Sequence, residues 1–171
     1  ITIERPTAVG TAAGALARMG IFNTDGRESG ACGNATRCVA RLLFDETGRN
    51  ALVLETLGGL LACRDAGGTA VSVDMAPITQ NWQAFPLARA VDMDHLPVAH
   101  GHLQGGMALH IGGPHALFFV DELDAVDVAA EAKVIQNDPL FPEKINVGVA
   151  QVLGKNHLRR VVWERPAMLT Q

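Results

Sequence analysis

One cysteine lies in a setting that favours chemistry over packing. Cys32 stands between Gly30 and Gly33, at the end of a turn-rich loop and directly before a segment with helical spacing. Because Asn34 is a good N-cap residue, the helix should begin within a residue or two of it. The free N–H groups and the dipole of a helix start favour a thiolate and can also hold a carboxylate. The pattern predicts a sulfur base that removes a proton from the carbon next to a carboxylate.

The other two cysteines fit the ordinary interpretation, in which a cysteine is a small buried hydrophobic residue. Cys63 lies in an apolar segment, and Cys38 falls on the predicted apolar stripe of the helix. We expect that stripe to contain Ala35, Cys38, Val39, Leu42, Leu43 and Glu46. Cys32 does not fit this interpretation, because glycines and polar residues flank it. Three cysteines without metal-ligand spacing indicate a reduced, cytoplasmic protein.

The composition excludes several classes of protein. The 171 residues are 48% hydrophobic and 19% charged, which is ordinary for a globular protein. A net charge of −4 gives no basic surface for nucleic acid. No apolar run approaches the roughly 20 residues of a membrane helix, and the first residues lack the pattern of a signal peptide. Because Ile1 is not an initiator methionine, we expect the true N-terminus to lie upstream.

Strands and one helix are predicted to position Cys32. A strand over 18–23 should lead into the cysteine loop, and residues 6–14 should form a loop of their own. The helix should extend over 34–47, with Gly48 as its stop signal and Phe44 away from its main stripe. Three further strands, joined by glycine turns into an antiparallel meander, are predicted over 51–56, 60–64 and 69–75.

The second half of the chain repeats this mixture without a detectable sequence repeat. Residues 77–86 break the pattern, so we predict two domains, 1–80 and 81–171. A weak strand is expected over 87–98, and a strand over 116–120 should be buried on both faces. The remaining predicted elements are a strand over 107–111, a helix over 124–136 and a hairpin of 146–153 with 158–163. The helix should turn Val126, Ala129, Ala130 and Val134 inward.

Several polar residues have a local interpretation and a functional one. Asn23 can serve its own turn, and His115 can be a structural histidine. The neighbours Glu164 and Arg165 can form a solvated rim at a strand end. Asn146, between two apolar residues, needs a hydrogen-bond partner if it is buried.

Motifs in the same order along the chain resemble the diaminopimelate epimerases. They are 22–26 (FNTDG), 31–40 (ACGNATRCVA), 55–59 (ETLGG), 113–116 (GPHA), 141–148 (FPEKINVG) and 163–165 (WER). The resemblance implies an α+β fold of two lobes, each a curled, mainly antiparallel sheet around a central helix. It also implies conversion of LL-diaminopimelate to the meso isomer by two cysteines on opposite faces of the α-carbon, in lysine and peptidoglycan biosynthesis.

The resemblance assigns roles to individual residues. Cys32 is one of the two acid–base groups, His115 assists it, and Glu164 acts at the site as well. No cofactor or metal takes part, and the complete enzyme is expected to be a homodimer without nucleic-acid or membrane partners. The substrate-binding residues implied by the resemblance are Asn23, Gly33, Asn34, Asn146, Glu164 and Arg165.

The sequence also departs from the family pattern. Gly113, Pro166 and Met168 stand where the family has an asparagine and two glycines, and we expect the chain to lack both the opening segment and the second catalytic cysteine. The chain alone is therefore expected to be inactive as an epimerase. The alternatives are a related proline racemase-like isomerase or dehydratase, and a decayed copy without catalysis.

Overall fold

Two units make up the chain in a computed structural model that describes residues 1–23, 26–30, 32–75, 77–111, 113–165 and 168–170. The first unit is Ile1–Pro77 and the second is Ile78–Gln171. The motif residues Thr24, Asp25 and Ala31, together with Pro166 and the side chain of Met168, lie outside the described residues. The assignment of 1–80 and 81–171 as epimerase lobes stays a prediction.

A sheet of order β1-β2-β3-β4-β5 organises the first unit. Only the β2–β3 pair of this sheet is parallel, and α2 lies in the connection between those two strands. The predicted meander of β3, β4 and β5 is confirmed. The elements are β1 (Thr2–Glu4), α1 (Ala8–Ala12), β2 (Ala17–Gly20), α2 (Gly33–Thr47), β3 (Ala51–Thr56), β4 (Gly59–Asp65) and β5 (Val71–Asp74).

A second sheet, of order β10-β9-β8-β7-β6, organises the second unit. Its β7–β8 pair is parallel with α3 in the connection, and its other pairs are antiparallel. The predicted hairpin is confirmed as β8 and β9. The elements are β6 (Met107–His110), β7 (Pro114–Phe119), α3 (Val128–Gln136), β8 (Asn146–Gly154), β9 (His157–Glu164) and β10 (Met168–Thr170), with 3₁₀ turns at Trp82–Ala84 and Leu123–Ala125.

The helix that carries Cys32 buries a different stripe from the predicted one. Its buried residues are Thr36, Val39, Ala40, Leu43 and Phe44, which follow the i, i+3, i+4 spacing of one helical face. Cys38 and Leu42 are exposed, so the prediction of a buried Cys38 is wrong. The predicted stripe was rotated away from the sheet, because apolar type alone does not show which side of the helix the strands cover. Gly48 ends α2 with a left-handed φ of 68°, as predicted.

Three other local predictions are wrong. Residues 6–14 contain α1 instead of a loop, because the Thr7 side chain caps it by accepting from the Gly10 N–H at 3.1 Å. Residues 87–98 form no strand, although Met93 and Leu96 are buried and bond to backbone near β6. β7 is fully buried on one face and only partly covered on the other, where Phe119 is 47% exposed.

The helix of the second unit also differs from its prediction. α3 begins at Val128, because Asp127 caps it and the residues before it form a 3₁₀ turn. Ala130 and Val134, which were predicted to face inward, are exposed. The buried residues are Val128, Ala132, Ile135 and Gln136. No helix of the described residues is long and apolar enough to cross a membrane.

Candidate active site

Cys32 is the N-cap residue of α2. Its backbone is extended, with φ −151° and ψ 101°, and its half-buried side chain makes no capping hydrogen bond. Its carbonyl accepts from both the N–H and the hydroxyl of Thr36, each at 2.9 Å. The sulfur therefore belongs to a residue whose backbone is fixed by the helix.

A tight hairpin precedes this helix start. Phe22 and Glu28 form an antiparallel bridge, and Asn23 lies inside the turn that they close. The Asn23 N–H donates to the Arg27 carbonyl at 2.9 Å, and the Gly26 N–H donates to the Asn23 carbonyl at 3.0 Å. The backbone of Asn23 thus closes this turn, and the substrate-binding role of its side chain stays a prediction.

The glycine turn after β3 packs directly against the cysteine loop. The Gly58 N–H donates to the Gly30 carbonyl at 2.9 Å. A Cβ atom at position 58 would lie 2.5 Å from that same carbonyl oxygen, a distance that neither backbone could accept. The motif at 55–59 therefore requires glycine at position 58 for close approach, and this contact helps to place Cys32 two residues later.

The acidic residue of the same motif has a structural role. Glu55 accepts from the Thr7 hydroxyl at 2.6 Å and from the Thr7 N–H at 2.8 Å. The Thr7 hydroxyl bond is the main cause that holds the pKa of Glu55 below its usual value. Glu55 therefore anchors the start of α1, and we do not assign it to the site.

The first turn of α2 offers a cradle for an anion. Helix geometry leaves its first N–H groups without intrahelical partners. A Cβ atom at Gly33 would find its nearest neighbours, Arg37 Nη1 and Met75 Sδ, at 3.8 Å, an ordinary van der Waals contact, so no side chain crowds this backbone. The Asn34 side chain is exposed and accepts from Arg37 through Oδ1. Gly33 and Asn34 are thus the first two residues of α2, and Cys32, not Asn34, is its N-cap. The substrate-binding role of Gly33 and Asn34 stays a prediction.

In the second unit, the predicted polar residues meet where β7 and β8 begin. His115 and Asn146 are paired in the parallel register, with Asn146 Nδ2 and His115 Nε2 3.5 Å apart. Asn146 Oδ1 accepts from the Arg165 N–H at 2.8 Å. Asn146 therefore has the partners that its half-buried position needs, and it connects three elements of the candidate site.

Burial keeps the imidazole of His115 neutral. Desolvation is the largest cause that lowers its pKa to about 4, and the charges of Arg160 and His110 lower it further. Burial also lowers the pKa of His110. A neutral imidazole can accept a hydrogen bond through Nε2, as the Asn146 geometry allows. At pH 7 His115 can order and polarise its neighbours without adding a positive charge.

The charged pair at the end of β9 is already engaged within the protein. Glu164 Oε1 accepts from the Thr170 hydroxyl at 3.0 Å. The Arg165 guanidinium donates to the Glu143 carbonyl at 2.9 Å. Both residues are half-buried, so the solvated-rim interpretation does not describe them.

Two residues with a part in these arrangements escaped the sequence analysis. Thr36 is fully buried and bonds to Cys32, and its position four residues after the cysteine could have indicated this contact. Gln136 is also buried and contacts the end of β9, but no pattern in the sequence marks it. Among the described residues, no group of three or more His, Cys, Asp or Glu side chains could hold a metal ion.

Comparison with known proteins identifies relatives of the chain. No family model matches it. It is 48% identical over 153 residues to a diaminopimelate epimerase of Rhodospirillum centenum, with 90% of this chain and 53% of the relative covered. It is 45% identical over 157 residues to one of Acidiphilium cryptum, with 92% and 57% covered. The chain spans between half and two thirds of the length of these curated relatives.

A solved structure supports the fold. A hydroxyproline epimerase from Agrobacterium vitis, with bound trans-4-hydroxy-L-proline, matches with a TM-score of 0.61 and 15% identity. The match covers 91% of this chain and 50% of that one. The predicted α+β fold of two epimerase-like lobes is confirmed by this match.

Proposed function

We propose that this chain, a homologue of the diaminopimelate epimerases, forms part of an enzyme that interconverts LL- and meso-diaminopimelate. The observation that carries the proposal is Cys32 at the N-terminus of α2. The family resemblance of the motifs and the identity of 45–48% to two relatives of that name support it. The pathway that we propose is lysine and peptidoglycan biosynthesis in the cytoplasm, with a homodimer as the complete enzyme.

In the proposed reaction, the Cys32 thiolate removes the α-proton of the substrate. The first-turn N–H groups at Gly33 and Asn34 bind the adjacent carboxylate, where negative charge develops as the proton leaves. Because these donors are fixed by the helix, they need no reorganisation when the charge forms. Neither a metal nor pyridoxal phosphate is part of the proposal.

Inversion needs a second group that donates a proton to the opposite face. Neither remaining cysteine suits that role. Cys38 lies in the middle of α2, and Cys63 is 1% exposed within β4, where burial raises the pKa of its thiol to about 11. We therefore propose that the chain by itself exchanges the α-proton but does not invert the carbon.

The second unit is proposed to bind the amino and carboxylate groups of the substrate. Arg165 can bind a carboxylate through two N–H groups, and Glu164 can accept from an ammonium group. Asn146 and neutral His115 supply uncharged hydrogen-bonding groups beside them. To bind substrate, Arg165 must exchange its bond to the Glu143 carbonyl for one to the carboxylate.

Solvent deuterium incorporation tests the proposal. Purified chain is incubated in D₂O with LL-diaminopimelate and, separately, with the meso isomer, and loss of the α-proton signal is followed by proton NMR. We expect Cys32-dependent exchange without inversion, which is retained in Cys38→Ser and lost in Cys32→Ser. Equal signal loss in both variants, or none in the unmodified chain, would contradict the assignment of Cys32 as the base.

The hydroxyproline epimerase does not supply a second candidate function. Its TM-score of 0.61 supports a shared fold at only 15% identity, whereas the 45–48% identities belong to proteins named diaminopimelate epimerase. Proline and diaminopimelate can serve as alternative substrates in the same exchange experiment. Exchange of proline alone would favour the proline racemase-like alternative.

A further inference from the structure

We infer that Gln136 is a positioning residue for the candidate substrate-binding end of the second unit. It is the last residue of α3, is 1% exposed and carries no charge. The inference rests on the function proposed above for Asn146, Glu164 and Arg165. It assigns to Gln136 no contact with substrate, only the task of holding the backbone segments that carry these residues.

The side-chain amide of Gln136 makes hydrogen bonds to two strands. Nε2 donates to the Ile145 carbonyl at 2.9 Å and to the Glu164 carbonyl at 3.4 Å. Oε1 accepts from the indole N–H of Trp163 at 3.2 Å. Both N–H groups and the oxygen of the amide thus have partners, which is what a buried polar group requires.

These hydrogen bonds lie just beyond the last paired residues of β8 and β9. The paired register of the two strands extends from Gly154↔His157 to Val147↔Trp163. Asn146 and Glu164 lie one residue beyond the last pair. There, Gln136 bonds to Glu164 and to the residue that directly precedes Asn146, and so ties the two strand ends together.

The Gln136 hydrogen bonds stabilise the contact between Asn146 and Arg165, which the proposed site needs. Asn146 Oδ1 accepts from the Arg165 N–H at 2.8 Å, which requires the start of β8 and the end of β9 to stay in place. If the amide of Gln136 is removed, the carbonyl of buried Ile145 and the carbonyl of half-buried Glu164 each lose a donor. Separation of the two strand ends then becomes more favourable, because it lets these carbonyls bond to water. The hydrogen bond between Asn146 and Arg165 opens when the strand ends separate.

Gln151 provides a matched control for a purely structural glutamine. Its Oε1 accepts from the Leu123 N–H at 3.2 Å, and its Nε2 donates to the Asp121 carbonyl at 2.7 Å. It lies on β8, five residues from Asn146. Gln151→Leu therefore removes side chain–backbone bonds of the same kind, nearer the other end of β8 and away from the candidate site.

Hydrogen exchange of the Arg165 N–H, measured by NMR, compares Gln136→Leu with Gln151→Leu. We expect this N–H to exchange about tenfold faster in Gln136→Leu than in Gln151→Leu, after correction for the global stability of each variant. Equal exchange in the two variants would overturn the inference. If Gln136→Leu does not fold, Trp163→Phe replaces it, because this variant removes one of the three hydrogen bonds of the Gln136 amide. An exchange rate of the Arg165 N–H unchanged from wild type would then overturn the inference.

Substrate affinity separates this inference from the proposed function. By calorimetry with meso-diaminopimelate, we expect the Kd to rise about tenfold in Gln136→Leu and to stay within about twofold in Gln151→Leu. A wild-type chain that binds no diaminopimelate contradicts the proposed function, while the exchange rate of Arg165 still decides whether Gln136 holds the strand ends. Faster exchange with unchanged affinity overturns the role in substrate binding.

Discussion

The two candidate sites lie at opposite ends of equivalent strand pairs. Each sheet contains one parallel pair with a helix in its connection, β2–β3 in the first unit and β7–β8 in the second. In the first unit the site follows the carboxyl ends of the pair, where the Cys32 helix begins. In the second unit, His115 and Asn146 lie at the amino ends of the pair.

This difference changes which atoms perform the chemistry. At a carboxyl edge, the chain enters a helix, and the backbone N–H groups of the helix start supply the polar contacts. Gly30 and Gly33 accordingly flank Cys32 in the sequence, and Gly58 contacts Gly30. At the amino edge, side chains of neighbouring strands supply the contacts, and the motif consists of single polar residues between apolar ones. The first site should therefore be sensitive to backbone crowding and the second to side-chain chemistry.

The largest effect is expected from crowding the first site. Gly58→Ala places a Cβ atom 2.5 Å from the Gly30 carbonyl oxygen and strains the hydrogen bond between these residues. We expect the free energy of unfolding to fall by about 3 to 4 kcal/mol, measured by urea denaturation. Gly154→Ala is the control, because a Cβ atom there has no neighbour within 4 Å. Similar losses in both variants would remove the argument for backbone crowding.

Acid should act on the second site through His115. Its folded-state pKa of about 4 lies below the ordinary 6.5, so between these values the unfolded chain binds a proton that the folded chain does not. The neutral His115 side chain therefore contributes to the free energy of unfolding. This contribution is fully present above about pH 6.5 and is lost as the pH falls through about 4, by about 3 kcal/mol at most.

The test compares urea unfolding of the wild type and His115→Gln at several pH values between 7.5 and 4. The difference in unfolding free energy between the two proteins should shrink as the pH falls. A His95→Gln control, at an exposed histidine, corrects for general effects of the substitution. A pH-independent difference between wild type and His115→Gln would show that His115 is not held neutral by burial.

Much of the local structure around these sites could be predicted from sequence. β3 matches its predicted bounds, the 60–64 and 69–75 strands were found with small shifts, and Gly48 marked the end of α2, since these features follow from alternation and turn residues. The buried faces of α2 and α3 could not be predicted, because tertiary packing selects one of several apolar stripes. Phe44, predicted away from the main stripe, is 2% exposed.

The site residues also divide into those that could be predicted from the sequence and those that could not. Cys32 could be recognised because glycines and an N-terminal helix signal are local in sequence. The pairing of His115 with Asn146 could not be derived from residue patterns, since it depends on the parallel register of strands 31 residues apart. Gln136 looks like any helix-end polar residue until its burial is known.

A smaller effect is expected from removing one hydrogen bond behind Cys32. Thr36→Val deletes the hydroxyl that donates to the Cys32 carbonyl, which should cost about 1 kcal/mol in unfolding free energy and lower the alkylation rate of Cys32. Thr47→Val is the matched control, because it deletes the equivalent bond to the Leu43 carbonyl at the other end of α2. If both variants change Cys32 alkylation equally, Thr36 has no specific influence on the site.

The smallest stability change is expected from restoring the family asparagine at position 113. A Cβ atom on Gly113 would lie 3.8 Å from Asn146 Nδ2, an ordinary contact distance. Gly113→Asn should therefore change stability by no more than about 0.5 kcal/mol while adding an amide beside Asn146. Calorimetry should show tighter binding of meso-diaminopimelate. Weaker binding would mean that the glycine is needed for space at this edge.

The relative alkylation rates of the three cysteines test the central assignment most directly. The chain is treated with iodoacetamide at pH 7, and mass spectrometry of peptides follows each cysteine separately. We predict that Cys32 reacts at least about tenfold faster than exposed Cys38, because only Cys32 lies at a helix N-terminus, and that buried Cys63 reacts slowest. Equal, slow reaction of Cys32 and Cys38 would contradict a thiolate base at the start of α2.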